Sequence, residues 1–202
     1  VTSAVFPRDF PTDGRPEIAL VGRSNVGKST LINALVKQDV ARTSSTPGKT
    51  RQVNVYRLSP AGGLPFYLMD LPGYGHAGGG EEARQEFGSL TALYFETRTG
   101  KPGRGHALAA PAFRAALRGV VLAIDARHPG MSSDVEACHW LLSIGAPFLL
   151  VATKVDKLSQ AERSRLSKTC LQAFGHPPLA VSALKGDGLA ELWQQLHALT
   201  AD

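Results

Sequence analysis

Only two cysteines, two methionines and two tryptophans occur among the 202 residues. So little cysteine excludes a disulfide-built secreted module. Cys138 and Cys170, each inside a helix-like stretch, read as buried thiols of a cytosolic protein, with one structural disulfide as the alternative. No apolar run approaches the roughly 20 residues that span a bilayer, so no membrane role is expected. The opening VTSAVFPRDFPTDG has no apolar stretch behind a basic start and does not read as a secretory signal. Charged residues are also modest at 19%, against 43% hydrophobic, which excludes a disordered chain and suits a globular one. Acids are outnumbered, 17 Asp and Glu against 22 Lys and Arg, so an acidic partner is worth seeking. The expectation is a cytoplasmic protein, monomeric by default.

Strand-like and helix-like stretches alternate along the chain. Residues 1–15 form a Pro-containing lead, and 16–202 read as one domain. EIALVG (Glu17–Gly22) is an apolar run ending in glycine, as in a buried strand. The stretch Lys28–Gln38 follows with Leu31, Ile32 and Leu35 at helical spacing. Val53–Leu58 and Phe66–Asp70 flank the turn-rich SPAGGLP and predict a hairpin. The pattern is helical from Glu81 to Thr97, around Ser132–Ile144, over Ser159–Phe174 and from Asp187 to Leu199. Further strands are expected at Gly119–Asp125, Pro147–Thr153 and Pro178–Ala183. This alternation implies an α/β fold, a three-layer sandwich in which a mostly parallel six-stranded sheet carries one antiparallel hairpin strand and helices cover both faces.

Four short motifs fall at the carboxyl ends of expected strands. GRSNVGKS, comprising Gly22, Arg23, Ser24, Asn25, Val26, Gly27, Lys28 and Ser29, fits G-x-x-x-x-G-K-[ST] between a strand and a helix. Such a loop wraps phosphates with backbone N–H groups at a helix N-terminus; Lys28 would reach the β/γ-phosphates and Ser29 would ligate magnesium. DLPG (Asp70, Leu71, Pro72, Gly73) places a carboxylate that can hold magnesium through water and a Gly73 amide that can meet the γ-phosphate. TKVD (Thr153, Lys154, Val155, Asp156) offers a carboxylate for the N1 and N2 donors of guanine, which adenine lacks. SAL (Ser182, Ala183, Leu184) could present a backbone N–H to guanine O6. Between the first two motifs, Thr50 is preferred as a second magnesium ligand because it stands just before a strand; Thr43, Ser44, Ser45 and Thr46 compete.

At these residues the chain resembles the TrmE–Era–EngA–YihA group of bacterial GTPases, and within it the EngB (YihA, YsxC) family. The similarity runs from about Pro16 to Leu199 through PEIALVGRSNVGKST, ARTSSTPGKTRQVN, DLPGYGHA, DARHP and TKVDKLS. The resemblance implies a cytosolic GTPase that assists assembly of the large ribosomal subunit and whose loss disturbs cell division and septation. It implies GTP contacts from Gly22–Ser29, from Gly48, Lys49, Thr50, Arg51 and Gln52, from Asp70–Gly73 and Thr153–Asp156, and from Val181, Ser182 and Ala183. Lys28, Thr50 and Gly73 would serve catalysis, and Ser29 and Thr50 would hold magnesium. Asn25 stands where potassium-stimulated relatives carry an ion ligand, so a potassium ion beside the phosphates is a further expectation.

Many GTPases place a water-orienting Gln directly after DxxG. Tyr74 stands there, followed by Gly75 and His76, so slow intrinsic hydrolysis is expected. Between Thr97 and Arg118 the chain carries Arg98, Lys101, Arg104, Arg114 and Arg118 without an acid, interleaved with Gly and Pro. That stretch, longer than the family pattern leads one to expect, reads as an exposed basic segment suited to a polyanion such as rRNA. A ribosomal particle is therefore the expected partner beside GTP and GDP. A GTP-switched regulator of the division machinery without RNA contact is the alternative; a metabolite kinase is disfavoured by TKVD.

Overall fold

The computed structural model describes residues 2–4, 6–41, 52–60, 62–74, 90–98 and 116–201. Its sheet is built from β1 (Thr2–Ala4), β2 (Glu17–Gly22), β3 (Val53–Leu58), β4 (Phe66–Asp70), β5 (Leu117–Asp125), β6 (Phe148–Thr153) and β7 (Leu179–Ala180), in the order β1-β3-β4-β2-β5-β6-β7. The helices are α1 (Lys28–Val36), α2 (residues 90–98), α3 (Ser132–Ile144), α4 (Gln160–Phe174) and α5 (Leu189–Thr200). The mostly parallel α/β sandwich is borne out, with β3 antiparallel to β4 as the hairpin signal required. The sheet has seven strands rather than six, because Thr2–Ala4 of the lead pairs antiparallel with β3. Three residues are too few to show a period, and their strand is dictated by the free edge of β3.

Each sheet face buries its own apolar cluster. β2 is buried along its whole length. Alternate residues point to opposite faces, so Ala19 and Val21 join one core while Ile18 and Leu20 join the other. Helix α1 covers the second face with Leu31, Ile32 and Leu35, and α5 joins it with Leu192 and Leu196. Helices α3 and α4 cover the first with Cys138, Leu141, Leu166, Cys170 and Phe174. Both cysteines are buried and free, as expected for the thiol reading. Helix α4 begins on a capping box in which Ser159 and Glu162 satisfy each other's amides. Among the described residues no helix is long and apolar enough to cross a membrane.

The placing of Arg98 corrects the expected basic segment. Arg98 lies in helical α2 rather than in an exposed loop, and it is 1% exposed. Its Nε and Nη2 donate to the Glu17 carboxylate at 2.8 and 2.7 Å, and Nη2 also reaches the Pro11 carbonyl. Tyr94 donates its hydroxyl to the same carboxylate, and the Phe10 ring lies against the guanidinium. Thr97 is helical too, and Arg118 belongs to β5; residues 99–115 lie outside the described residues. This ion pair fixes α2 and the N-terminal lead to the start of the central strand.

Arg98→Met would strand the Glu17 carboxylate in the core, a change expected to cost about 3–5 kcal/mol in urea unfolding. Adding Glu17→Gln should recover part of that loss. A cost typical of an exposed pair, below about 1 kcal/mol, would contradict the anchoring role.

Candidate nucleotide site

The carboxyl ends of β2, β4, β5 and β6 meet on one side of the sheet, where the strand order reverses about β2; such switch points form ligand crevices in open α/β sheets. The loop from Gly22 to Gly27 leaves β2 there and enters α1. Gly27 caps the helix at φ 107°, a left-handed geometry that glycine tolerates, and no side chain caps the first turn. Its amides are thus available to an anion, with the helix dipole behind them. The Lys28 ammonium folds back to the carbonyls of Gly22 and Arg23, at 3.0 and 3.3 Å. Ser29 follows in the first turn of α1.

Asp70 ends β4 beside this loop and is 3% exposed. Its Oδ1 is buried without a hydrogen-bond partner. Burial pushes the carboxyl above the usual aspartate range, while the Lys28 ammonium and an Asn54 hydrogen bond pull it down. Burial likewise lowers the Lys28 ammonium, and Asp70 opposes that shift. A buried carboxylate oxygen without a protein partner is suited to a hydrated cation. Gly73, three residues on, is packed so closely that a Cβ there would meet the Ser24 Oγ, N and Cα at 2.6–2.8 Å.

The loop is held from β6 and the segment after it. Thr153 Oγ1 donates to the Val26 carbonyl at 2.6 Å and lies 3.0 Å from the Ile124 carbonyl. Lys154, at φ 60°, lays its stem beside Gly27 and donates Nζ to the Asn25 carbonyl at 2.6 Å and to Asp125 Oδ2 at 2.9 Å. Arg127 grips both oxygens of the same carboxylate. Burial would raise Asp125, yet the hydrogen bonds from Arg127 and Lys154 outweigh it and hold the carboxyl far below the usual range. Asp156 accepts from the Ser182 hydroxyl at 2.8 Å, the main cause of its lowered pKa. Ser182 in turn accepts the Lys185 amide, and its own N–H goes to Asp187. That arrangement keeps Asp156 ionised and fixed, as an acceptor for paired N–H donors must be, and commits the Ser182 N–H to the Asp187 carbonyl.

The structure therefore brings the first, second, third and fourth motifs to one sheet edge. Leu71, Val26, Val155 and Val181 bury their side chains in the core, so they can reach a ligand only through backbone. Asn25 stands at φ 61°, a conformation asparagine tolerates. Gln52 is exposed just before β3. Gly48, Lys49, Thr50 and Arg51, the competing hydroxyls from Thr43 to Thr46, and His76 lie outside the described residues. Sequence reasoning missed three supporting roles: Asp125 as the counter-charge of Lys154, Ser182 as the clamp on Asp156, and Asp134 behind Arg23. Asp125 carried a signal, since an acid closing an apolar strand two residues before a basic one invites a pair. Asp134, in the first turn of a helix, carried no signal beyond that of a common helix-start acid.

Asp156→Asn replaces one carboxylate oxygen with an amide donor and should weaken GTP binding about 10- to 100-fold. Binding of xanthosine triphosphate, whose C2 carbonyl accepts the new amide, should improve. Titration of both nucleotides against both proteins checks this; unchanged GTP affinity would remove Asp156 from the site.

Comparison with known proteins agrees with this geometry. The 50S ribosome-binding GTPase family matches residues 17–154. A probable GTP-binding protein EngB of Geobacillus kaustophilus is 39% identical over 206 residues, spanning 100% of this chain and 95% of the relative. Another, from Chlorobaculum parvum, is 43% identical over 190 residues, spanning 93% and 88%. Among solved structures, a probable GTP-binding protein engB aligns with TM-score 0.68 at 20% identity over 92% of this chain and 98% of the other. Era in complex with MgGDPNP and nucleotides 1506–1542 of 16S ribosomal RNA aligns with TM-score 0.70 at 22% identity, over 91% and 56%. These structural likenesses show the shared fold. With that fold, these four motifs and these relatives, the chain belongs to the EngB family of GTP-binding proteins and is a P-loop GTPase.

Proposed function

We propose that this GTPase is a slow GDP/GTP switch acting in assembly of the large ribosomal subunit, on which normal cell division and septation depend. The observation that carries the reading is the match of residues 17–154 to a family described as 50S ribosome-binding GTPases. The net charge of +5 suits an RNA-containing partner. A structural neighbour, Era, was solved with 16S ribosomal RNA. Cytoplasmic location and a monomeric state belong to the same proposal.

In the proposed mechanism the loop amides and Lys28 bind the β- and γ-phosphates and neutralise charge as it develops on them. Ser29 and Thr50 would hold magnesium directly and Asp70 through water, consistent with the orphaned Asp70 oxygen. Bound there, the ion would supply positive charge that offsets the charge developing on the transferred phosphate. The Gly73 amide meets the γ-phosphate, which makes the segment after β4 sensitive to whether GTP or GDP is present. Lys154 covers the base plane and Asp156 selects guanine. Asn25 is a candidate potassium ligand through its side-chain oxygen. Intrinsic hydrolysis is slow because Tyr74 replaces the amide that elsewhere orients water.

Lys101, Arg104 and Arg114 supply the remaining basic charge of the segment between α2 and β5, now without Arg98. Co-sedimentation with ribosomal particles should be stronger with a GTP analogue than with GDP and should fall steeply with salt. Replacing Lys101, Arg104 and Arg114 with Ala should weaken binding and flatten the salt slope while GTP affinity holds. Absence of nucleotide-dependent sedimentation at every salt would overturn the ribosomal role and favour a protein effector.

A further inference from the structure

Asp134 lies in the first turn of α3 and is 0% exposed. Its carboxylate receives Arg23 Nε at 3.0 and 3.1 Å and the Tyr74 hydroxyl at 2.9 Å. A buried carboxylate is costly unless its lone pairs are filled, and here a cation and a phenol fill them at the positive end of a helix. Burial raises the carboxyl, opposed by Arg23 and by the Tyr74 bond. Tyr74 is itself pushed far up, chiefly by burial and then by Asp134, so it stays a proton donor.

The backbones meet at the same place. Arg23 and Tyr74 form a parallel bridge, and the Ser24 N–H donates to the Tyr74 carbonyl at 3.0 Å. Ser24 Oγ donates to the Gly73 carbonyl at 3.2 Å, and no Cβ fits on Gly73 against Ser24. Three segments distant in sequence are thereby tied to one carboxylate: the phosphate loop, the turn after β4 and the start of α3. The phenol that stands in the water-orienting position is committed to α3.

We propose that Asp134 is a positioning residue of the GTPase reaction. Through Arg23 and Tyr74 it holds the Gly73 turn against the phosphate loop, so that the Gly73 amide is already placed where γ-phosphate charge develops. The inference rests on GTP hydrolysis and on the Gly73 role proposed above; it does not depend on a ribosomal partner. Preorganised donors contribute most when they do not move during reaction, and displacement of about 1 Å can be costly in rate.

Single-turnover and steady-state GTP hydrolysis by Asp134→Asn, Tyr74→Phe and the double variant, without ribosomal particles, tests it. Expected is a fall in kcat of about tenfold for Asp134→Asn and about threefold for Tyr74→Phe, with KM and GDP affinity nearly unchanged. The double variant should be no slower than Asp134→Asn, because the Tyr74 hydroxyl acts only through the carboxylate that Asp134→Asn has already replaced. Unchanged kcat in either folded variant would overturn the proposal. So would a parallel loss of GDP and GTP-analogue affinity with melting temperature, the signature of a merely structural acid. Should Asp134→Asn fail to fold, Tyr74→Phe, which deletes one hydroxyl, decides the matter by the same readouts. A wild type with no hydrolysis would instead refute slow GTP turnover, separately from any effect of the variants.

Discussion

Convergent amide donors repel one another, and a loop that aims several at one point must be held from outside. Here the hold comes chiefly from two neighbouring residues, Thr153 at the end of β6 and Lys154 after it, which capture the Val26 and Asn25 carbonyls. With those carbonyls captured, the loop backbone is fixed ahead of α1, and within it the Ser24 and Val26 N–H groups are held by the Tyr74 and Arg23 carbonyls. The Lys154 charge is balanced by Asp125 on β5, which Arg127 also grips. Phosphate loop, central sheet and base-recognition loop are thus one connected body. The parallel pairing of β5 with β6, in register from Val120 and Phe148 to Asp125 and Thr153, is what brings these residues level.

The same connection links chemistry to selectivity. Asp156 follows Lys154 by two residues and is pinned by Ser182, whose turn follows β7. A base bound against Asp156 therefore lies on the element that braces the phosphate loop. On the other side of β2, the turn after β4 is joined to the loop by Ser24 and, through Asp134, to α3. That turn is held by the Arg23–Tyr74 bridge, the Ser24 contacts and one buried carboxylate.

Much of this was legible in the sequence because local signals and motif order agreed. Helix α3 has the span its periodicity predicts, and the four motifs lie at one sheet edge because parallel strands place their carboxyl ends together. Departures occur where the deciding partner is remote. Arg98 stands in a basic, glycine-rich stretch that reads as solvated, yet its fate is set by Glu17, 81 residues earlier. Strand β7 is two residues long, shorter than its apolar run, because it pairs only with the end of β6. β1 exists because β3 offers an edge. Asp134 and Ser182 act through partners that no local pattern names.

The element that braces the phosphate loop also carries Asp156, the residue proposed to select guanine. Calorimetric titration of the protein with GDP and with ADP, each with and without magnesium, tests it most directly. The account predicts saturable GDP binding and none with ADP at the same concentrations, since Asp156 would be left against a base without its donor pair. Equal affinity for the two nucleotides would contradict it.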